Sequence, residues 1–193
     1  MNKGHWNRYF VALGLAALLL VAACAPPLTP TPTPSPTPPP QMETLTYTDS
    51  EHGFSVEYPK DWDVQAGFMG TIVIFVGPVE EETGGAININ IGATTPAESP
   101  EVTLEEYARL FQLGVEEDAK DYEKVDEYDA VVDDLPAIVC TWKEDLAGTT
   151  LTVTMAFFMK EDVVYGISYG ATSEVYGDYL NCFELVLDSF NFD

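Results

Sequence analysis

Three features of the sequence predict an α+β fold built on an antiparallel sheet. Runs with a two-residue apolar period precede and follow a helical stripe, so the element order is strands, helix, strands, helix. The runs are joined by short turn-like connections, which favour antiparallel neighbours. Both helical stretches carry an apolar stripe that has to be buried against a sheet.

Leu45-Thr46-Tyr47 and Phe54-Ser55-Val56-Glu57-Tyr58 read as a pair of short strands around the turn Asp49 to Gly53, and Pro59 to Trp62 then breaks the pattern. TIVIFV, Thr71 to Val76, is a nearly continuous apolar strand, and AININI, Ala86 to Ile91, places Ile87, Ile89 and Ile91 on one face. The connection between them contains Gly84-Gly85, which tolerates the positive φ of a hairpin turn. A helix follows: Thr103 with Glu106 forms a capping box, and Leu104, Tyr107, Ala108, Phe111 and Val115 make its stripe. Three strands come next, Ala137 to Lys143, Leu151 to Met159 and Val163 to Tyr169. The middle one alternates Leu151, Val153, Met155, Phe157 and Met159 against Thr152 and Thr154, so the odd-numbered row is expected to be the fully buried face. A last helix spans about Glu174 to Asp188, with Ser173 as its N-cap and Tyr176, Leu180, Phe183, Leu187 and Phe190 on its stripe.

The chain before this domain divides into two further pieces. Residues Met1 to Ala23 have the form of a signal peptide: Lys3 and Arg8 without acids, then the apolar run Phe10 to Ala23, too short for the roughly 20 residues of a comfortable span. Val21-Ala22-Ala23-Cys24 resembles a bacterial lipobox, which makes Cys24 the predicted lipid-attachment site, a diacylated, palmitate-type anchor at the membrane's extracytoplasmic face. Residues 24–42 combine that cysteine with a Pro/Thr-rich stalk in which nine of the fourteen prolines lie between Pro26 and Pro40. Such a segment extends as polyproline and would hold the folded part about 50 Å from the lipid. Residues 43–193 are then a single domain of ordinary size, expected to be a monomer.

Removing Lys3 and Arg8 leaves 6 Lys plus Arg (8 − 2) against 32 Asp plus Glu, a formal charge of −26. That field repels phosphate and disfavours nucleic acid as a partner. Ten of the nineteen residues from Glu116 to Asp134 are acidic, but they lack the spacing and central glycine of an EF-hand loop, so they read as a solvated acidic face. Cys140 and Cys182 read as buried free thiols, a disulfide being the alternative outside the cytoplasm. His52 alone survives processing among histidines, within the turn DSEHGF, too few for a Cys/His zinc site. Nucleotide and hydrolase motifs are missing, and no catalytic, metal or cofactor residues are assigned.

FSVEYPKDWDV from Phe54, DDLPAIVCTW from Asp133 and the terminal DSFNF resemble the PsbP-like superfamily, of the PsbP, DcrB and LpqN type. The most specific parts are G-F-S-x-x-Y-P-x-x-W at Gly53 to Trp62 and Ser189-Phe190. The resemblance implies an α/β/α sandwich, a central antiparallel sheet flanked by helices, and a non-enzymatic binding role. A bacterial lipobox and stalk stand where a plastid transit peptide would. The expected function is a membrane-anchored lipoprotein whose domain docks onto an envelope protein. The alternatives are a carrier of a lipid or small apolar ligand and a carboxylate-based hydrolase.

Overall fold

The structure, a computed structural model, describes residues 42–68, 70–79, 86–96 and 102–193. The lipobox, the stalk and the Gly84-Gly85 turn lie outside the described residues.

Ten strands and two helices follow in the order β1 (Thr44–Asp49), β2 (Phe54–Pro59), β3 (Asp63–Ala66), β4 (Thr71–Val79), β5 (Ala86–Thr94), α1 (Leu104–Asp118), β6 (Glu123–Val132), β7 (Leu135–Leu146), β8 (Thr149–Lys160), β9 (Val163–Thr172), α2 (Tyr176–Ser189) and β10 (Asn191–Phe192). They form a seven-stranded antiparallel sheet, β3-β4-β5-β9-β8-β7-β6, and a three-stranded one, β1-β2-β10. The predicted α+β class holds. The protein is nonetheless dominated by its sheets, and "sandwich" overstates the helical layers: each face of the large sheet has one helix, and α2 shares its side with the small sheet.

Strand alternation in β8 separates the two faces. Phe157 meets Tyr107 and Phe111 of α1, at ring-centre distances of 5.7 and 4.9 Å. Phe158 points the other way, onto Phe190 at the end of α2, 4.9 Å away. The main core lies on the α2 side, where Val73, Phe75, Ile87, Ile89, Ile91, Ile167 and Tyr169 meet Phe183 and Val186.

This corrects the expectation for β8. The fully buried row is the even one, Thr152, Thr154, Ala156 and Phe158, whereas Leu151, Val153, Met155 and Met159 are only half-buried on the α1 side. The two threonines tolerate burial because each hydroxyl is paired: Thr152 with Ser173 at 2.8 Å, and Thr154 with Thr141 at 2.7 Å and with the Tyr176 hydroxyl. Ser173 is thereby committed to β8 and does not cap α2. The helix starts later, its N-cap is Val175 without a side-chain bond, and Phe190 lies just beyond the helix as its C-cap.

At α1, Thr103 caps as predicted, its hydroxyl accepting from the Glu106 amide at 3.2 Å. The carboxyl that answers Thr103 is Glu105, held below its ordinary value by its own backbone amide and by the Thr103 hydroxyl.

Three strands were not predicted: β3, β6 and β10. The acidic run from Glu123 is exposed as expected of a solvated face, and it forms an edge strand. It turns into β7 through Asp133 and Asp134, both at positive φ (47° and 61°), a conformation in which Asp is tolerated and Gly is usual.

Candidate interaction surface

Helix α1 lies over β7 and β8, and among the described residues a cleft runs along each side of it. Toward β5 and β9 the cleft has a volume of about 300 Å³. Its floor is the paired glycines Gly92 and Gly166, and its walls include Asn90, Ser168 and Tyr107. Asn90 donates to Asn88 at 2.8 Å and to Ser168 at 3.3 Å. None of the twelve described residues that line it is charged.

On the β6 side the groove is larger, about 600 Å³, and charged. Glu105, Arg109 and Glu116 of α1 face Lys124, Glu127 and Asp129 of β6. A single oxygen of Glu127, Oε2, receives Gln112 Nε2 at 2.7 Å, Lys124 Nζ at 3.0 Å and the Cys140 thiol at 3.7 Å. The Gln112 and Lys124 bonds hold the Glu127 carboxyl below its ordinary value against the opposing effect of burial. The two elements also carry exposed apolar residues: Leu110 and Leu113 on α1, and Val125, Tyr128 and Val131 on β6, with Tyr128 on the sheet face away from α1. Apolar side chains amid charges are the composition of a protein-contact surface with a polar rim.

The other residues singled out by sequence fall elsewhere. Cys24 lies outside the described residues. Cys140 and Cys182 are both free and buried, Cys140 beneath α1 and Cys182 in the core on the α2 side, so the sheet stands between them. Burial pushes their thiols up, to about 12 and about 11, the opposite of a reactive thiolate. His52 sits in the β1–β2 turn and its Nδ1 is 3.0 Å from Asp49 Oδ1. Asp49 Oδ1 also accepts the amides of Glu51 and His52 at 3.0 and 2.8 Å, and its Oδ2 accepts the Tyr47 hydroxyl at 3.0 Å. This is a turn closed by an aspartate, as expected of His52. Among the described residues no group of His, Cys, Asp and Glu is arranged to hold a metal ion, and no helix is long and apolar enough to cross a membrane.

The residues of the G-F-S-x-x-Y-P-x-x-W stretch are structural. Phe54 stacks on Phe190 at 4.9 Å, Tyr58 stacks on Phe75 at 4.8 Å, and Trp62 reaches Tyr179 of α2 at 6.5 Å. Ser189 Oγ accepts the Glu57 amide at 2.8 Å and donates to the Leu185 carbonyl at 2.7 Å, which ties the end of α2 to β2. Asp133 clamps the C-terminus, accepting Asn191 Nδ2 at 2.7 Å and the Phe192 amide at 3.1 Å. These contacts join the small sheet, α2 and the β6–β7 turn into one core.

Residues 36–192 match a family model described as PsbP-like protein. The chain belongs to the PsbP-like family. Among curated proteins no sequence matches it. The PsbP-like domain is similar in fold to cyanobacterial PsbP (CyanoP) from Synechocystis sp. PCC 6803, with 13% identity, a TM-score of 0.59, and coverage of 84% of this chain and all 100% of that one. It is also similar to LpqN of Mycobacterium tuberculosis, described as involved in cell envelope biogenesis, with 12% identity, a TM-score of 0.57 and coverage of 78% and 90%. The Saccharomyces cerevisiae Ran-binding protein Mog1p matches with 13% identity, a TM-score of 0.51 and coverage of 79% and 96%. At such identities the likeness is one of fold, and Phe54, Tyr58, Trp62 and Phe190 of the stretches that carry the resemblance are buried.

Proposed function

We propose that the chain is a non-enzymatic lipoprotein, anchored on the extracytoplasmic face through Cys24, whose PsbP-like domain is a protein-interaction module of the cell envelope. The observation that carries this reading is the surface along α1 and β6. Of the ten exposed large apolar residues among the described ones, five lie on these two elements, interspersed with carboxylates. A stalk with lipid at its base would confine the domain to the membrane surface and raise its effective concentration toward a membrane-bound partner. LpqN, similar in fold, is described as involved in cell envelope biogenesis, which agrees with that address.

Asp49, Glu105, Glu127 and Asp145 are displaced downward, whereas a glycosidase-type general acid has to be raised, so none of these four suits that role. The cleft beside Gly92 and Gly166, whose described lining is uncharged, favours a second reading, a carrier of a small neutral molecule. Its volume of about 300 Å³ stands at the lower end of the range for small-molecule sites.

Quantitative cross-linking of the anchored chain in native membranes, at low and high salt, tests the first reading. A protein adduct that weakens with salt is expected, because the contact meets an acidic surface. Native mass spectrometry that finds a small molecule held by the domain, with no protein adduct at either salt, would transfer the function to the cleft.

A further inference from the structure

Strand β6 ends the large sheet, so its outer edge has no strand partner among the described residues. Its pairing with β7 is interrupted once, between Lys124 and Asp126, and beyond that bulge Asp126 to Val132 run in unbroken register with Thr141 to Leu135. Alternate residues of this stretch turn their N–H and C=O groups outward, away from β7, as a template for a further strand. Natural edges are blunted by short length, cover, bulges or charged side chains, and this one carries a single bulge and its carboxylates.

From Asp126 to Val132 every charged side chain of the strand is a carboxylate, and both faces of the sheet carry at least one. Toward α1 stand Glu127 and Asp129, with Glu116 and Arg109 of the helix across the groove and Lys124, before the bulge, already bonded to Glu127 at 3.0 Å. Toward α2 stands Asp126, and Asp126 together with Glu184 and Asp188 of α2 acts on the Tyr128 hydroxyl, which is raised chiefly by burial and further by these carboxylates. The apolar residues are divided in the same way. Tyr128 lies opposite Val139 on the α2 side and Val131 opposite Pro136 on the α1 side, 48% and 68% exposed.

We propose that the outer edge of β6 is a strand-addition site for an extended segment of a partner protein that carries Lys or Arg on both of its faces. This deepens the interaction-module reading and rests on it. The ladder supplies affinity without demanding sequence, and the carboxylates on both sides supply the preference for basic residues. A second copy of this chain does not fit, because β6 against β6 sets carboxylates opposite carboxylates, a destabilising arrangement. The acidic edge thus blocks self-pairing and admits a basic strand.

The test uses the full chain in non-ionic detergent, with a capped synthetic peptide of two Lys-Lys-Val-Thr repeats, which places lysine on both faces of a strand. Hydrogen exchange should show slowing, on the order of tenfold or more, confined to outward amides between Asp126 and Val132. The Lys-Lys-Pro-Pro counterpart, equal in charge but unable to form a ladder, should bind at least about tenfold more weakly. Asp126→Lys with Asp129→Lys, both exposed positions, should weaken the first peptide by a similar factor. Equal binding of the proline peptide, slowed exchange on another element, or no binding of the Lys-Lys-Val-Thr peptide would overturn the proposal. A native partner cross-linked to a different face would sink strand addition and leave the module reading standing, whereas absence of any protein partner in membranes would remove that reading itself.

Discussion

Gly92 and Gly166 face each other across β5 and β9, and each is a glycine for a different reason. A Cβ on Gly92 would fall 2.8 Å from the Gly70 carbonyl oxygen, whose position is fixed by its bond from the Ala93 amide at 3.2 Å. A Cβ on Gly166 would crowd Met155 Cε, at 2.6 Å, the free end of a flexible side chain, and would lie at ordinary contact distance, 4.0 Å, from the Ala156 carbonyl oxygen. Gly92→Ala is therefore expected to cost about 1–3 kcal/mol of stability, and Gly166→Ala under about 1 kcal/mol. Urea denaturation of the two variants checks the ranking, and a larger loss for Gly166→Ala would show that the floor of the cleft is rigid where the packing says it yields.

Asp49 carries the clearest pH dependence. Burial raises its carboxyl, yet the His52 amide and ring and the Tyr47 hydroxyl together outweigh that and hold it below its ordinary value. The side chain is only 14% exposed, so little water competes with these bonds. A carboxyl depressed in the folded state stabilises fully above its unfolded pKa, about 3.9, and that contribution is lost as pH falls through the lower folded value. Stability should therefore decline with acid below about pH 4, and Asp49→Asn should flatten that decline while lowering stability at neutral pH. Thermal melts of both proteins between about pH 2 and pH 7 measure it, and parallel curves would deny Asp49 the role.

At the scale of elements, the helices and the apolar strands were legible and the edges were not. TIVIFV and AININI declare themselves by β-branched residues at period two, and α1 by a stripe with a cap. Strand β6 has no buried face until Val132, so no apolar alternation marks it, and its turn uses Asp133-Asp134 where a glycine would have signalled a hairpin. The four-residue β3 is exposed along its whole length and gives no period either. In β8 the period was right and the face was wrong, because composition cannot reveal that Thr141, Ser173 and Tyr176 supply hydroxyl partners to the buried threonines. The candidate surface shared this fate: its acids were visible in the sequence, but that they edge a sheet beside α1 was not. One consequence for α1 is checkable. Thr103→Ala removes the bond to the Glu106 amide and should cost about 1 kcal/mol. By contrast, Ser173→Ala should act through the loss of its Thr152 partner and leave α2 helicity unchanged, which amide exchange along Tyr176–Ser189 would show.

For the whole molecule, 32 Asp plus Glu against 8 Lys plus Arg set the terms of association. Such a chain repels copies of itself and anionic surfaces, and it attracts basic partners over roughly a Debye length of 8 Å at physiological salt. The fold is shared by proteins as different as CyanoP and Mog1p, so it does not by itself assign a function. The contact surface proposed for this chain lies along α1 and β6, at one edge of the large sheet among the described residues. The most direct measurement is site-specific photo-cross-linking in native membranes, with the photoreactive group placed at Val131 on β6 and, in a second protein, at Leu45 on β1, both exposed. The account predicts a protein adduct from Val131 that fades at high salt and is lost when Asp126 and Asp129 are replaced by lysine, with none of comparable yield from Leu45. An adduct from Leu45 alone, or no protein adduct from either position while a small molecule travels with the domain, would contradict it.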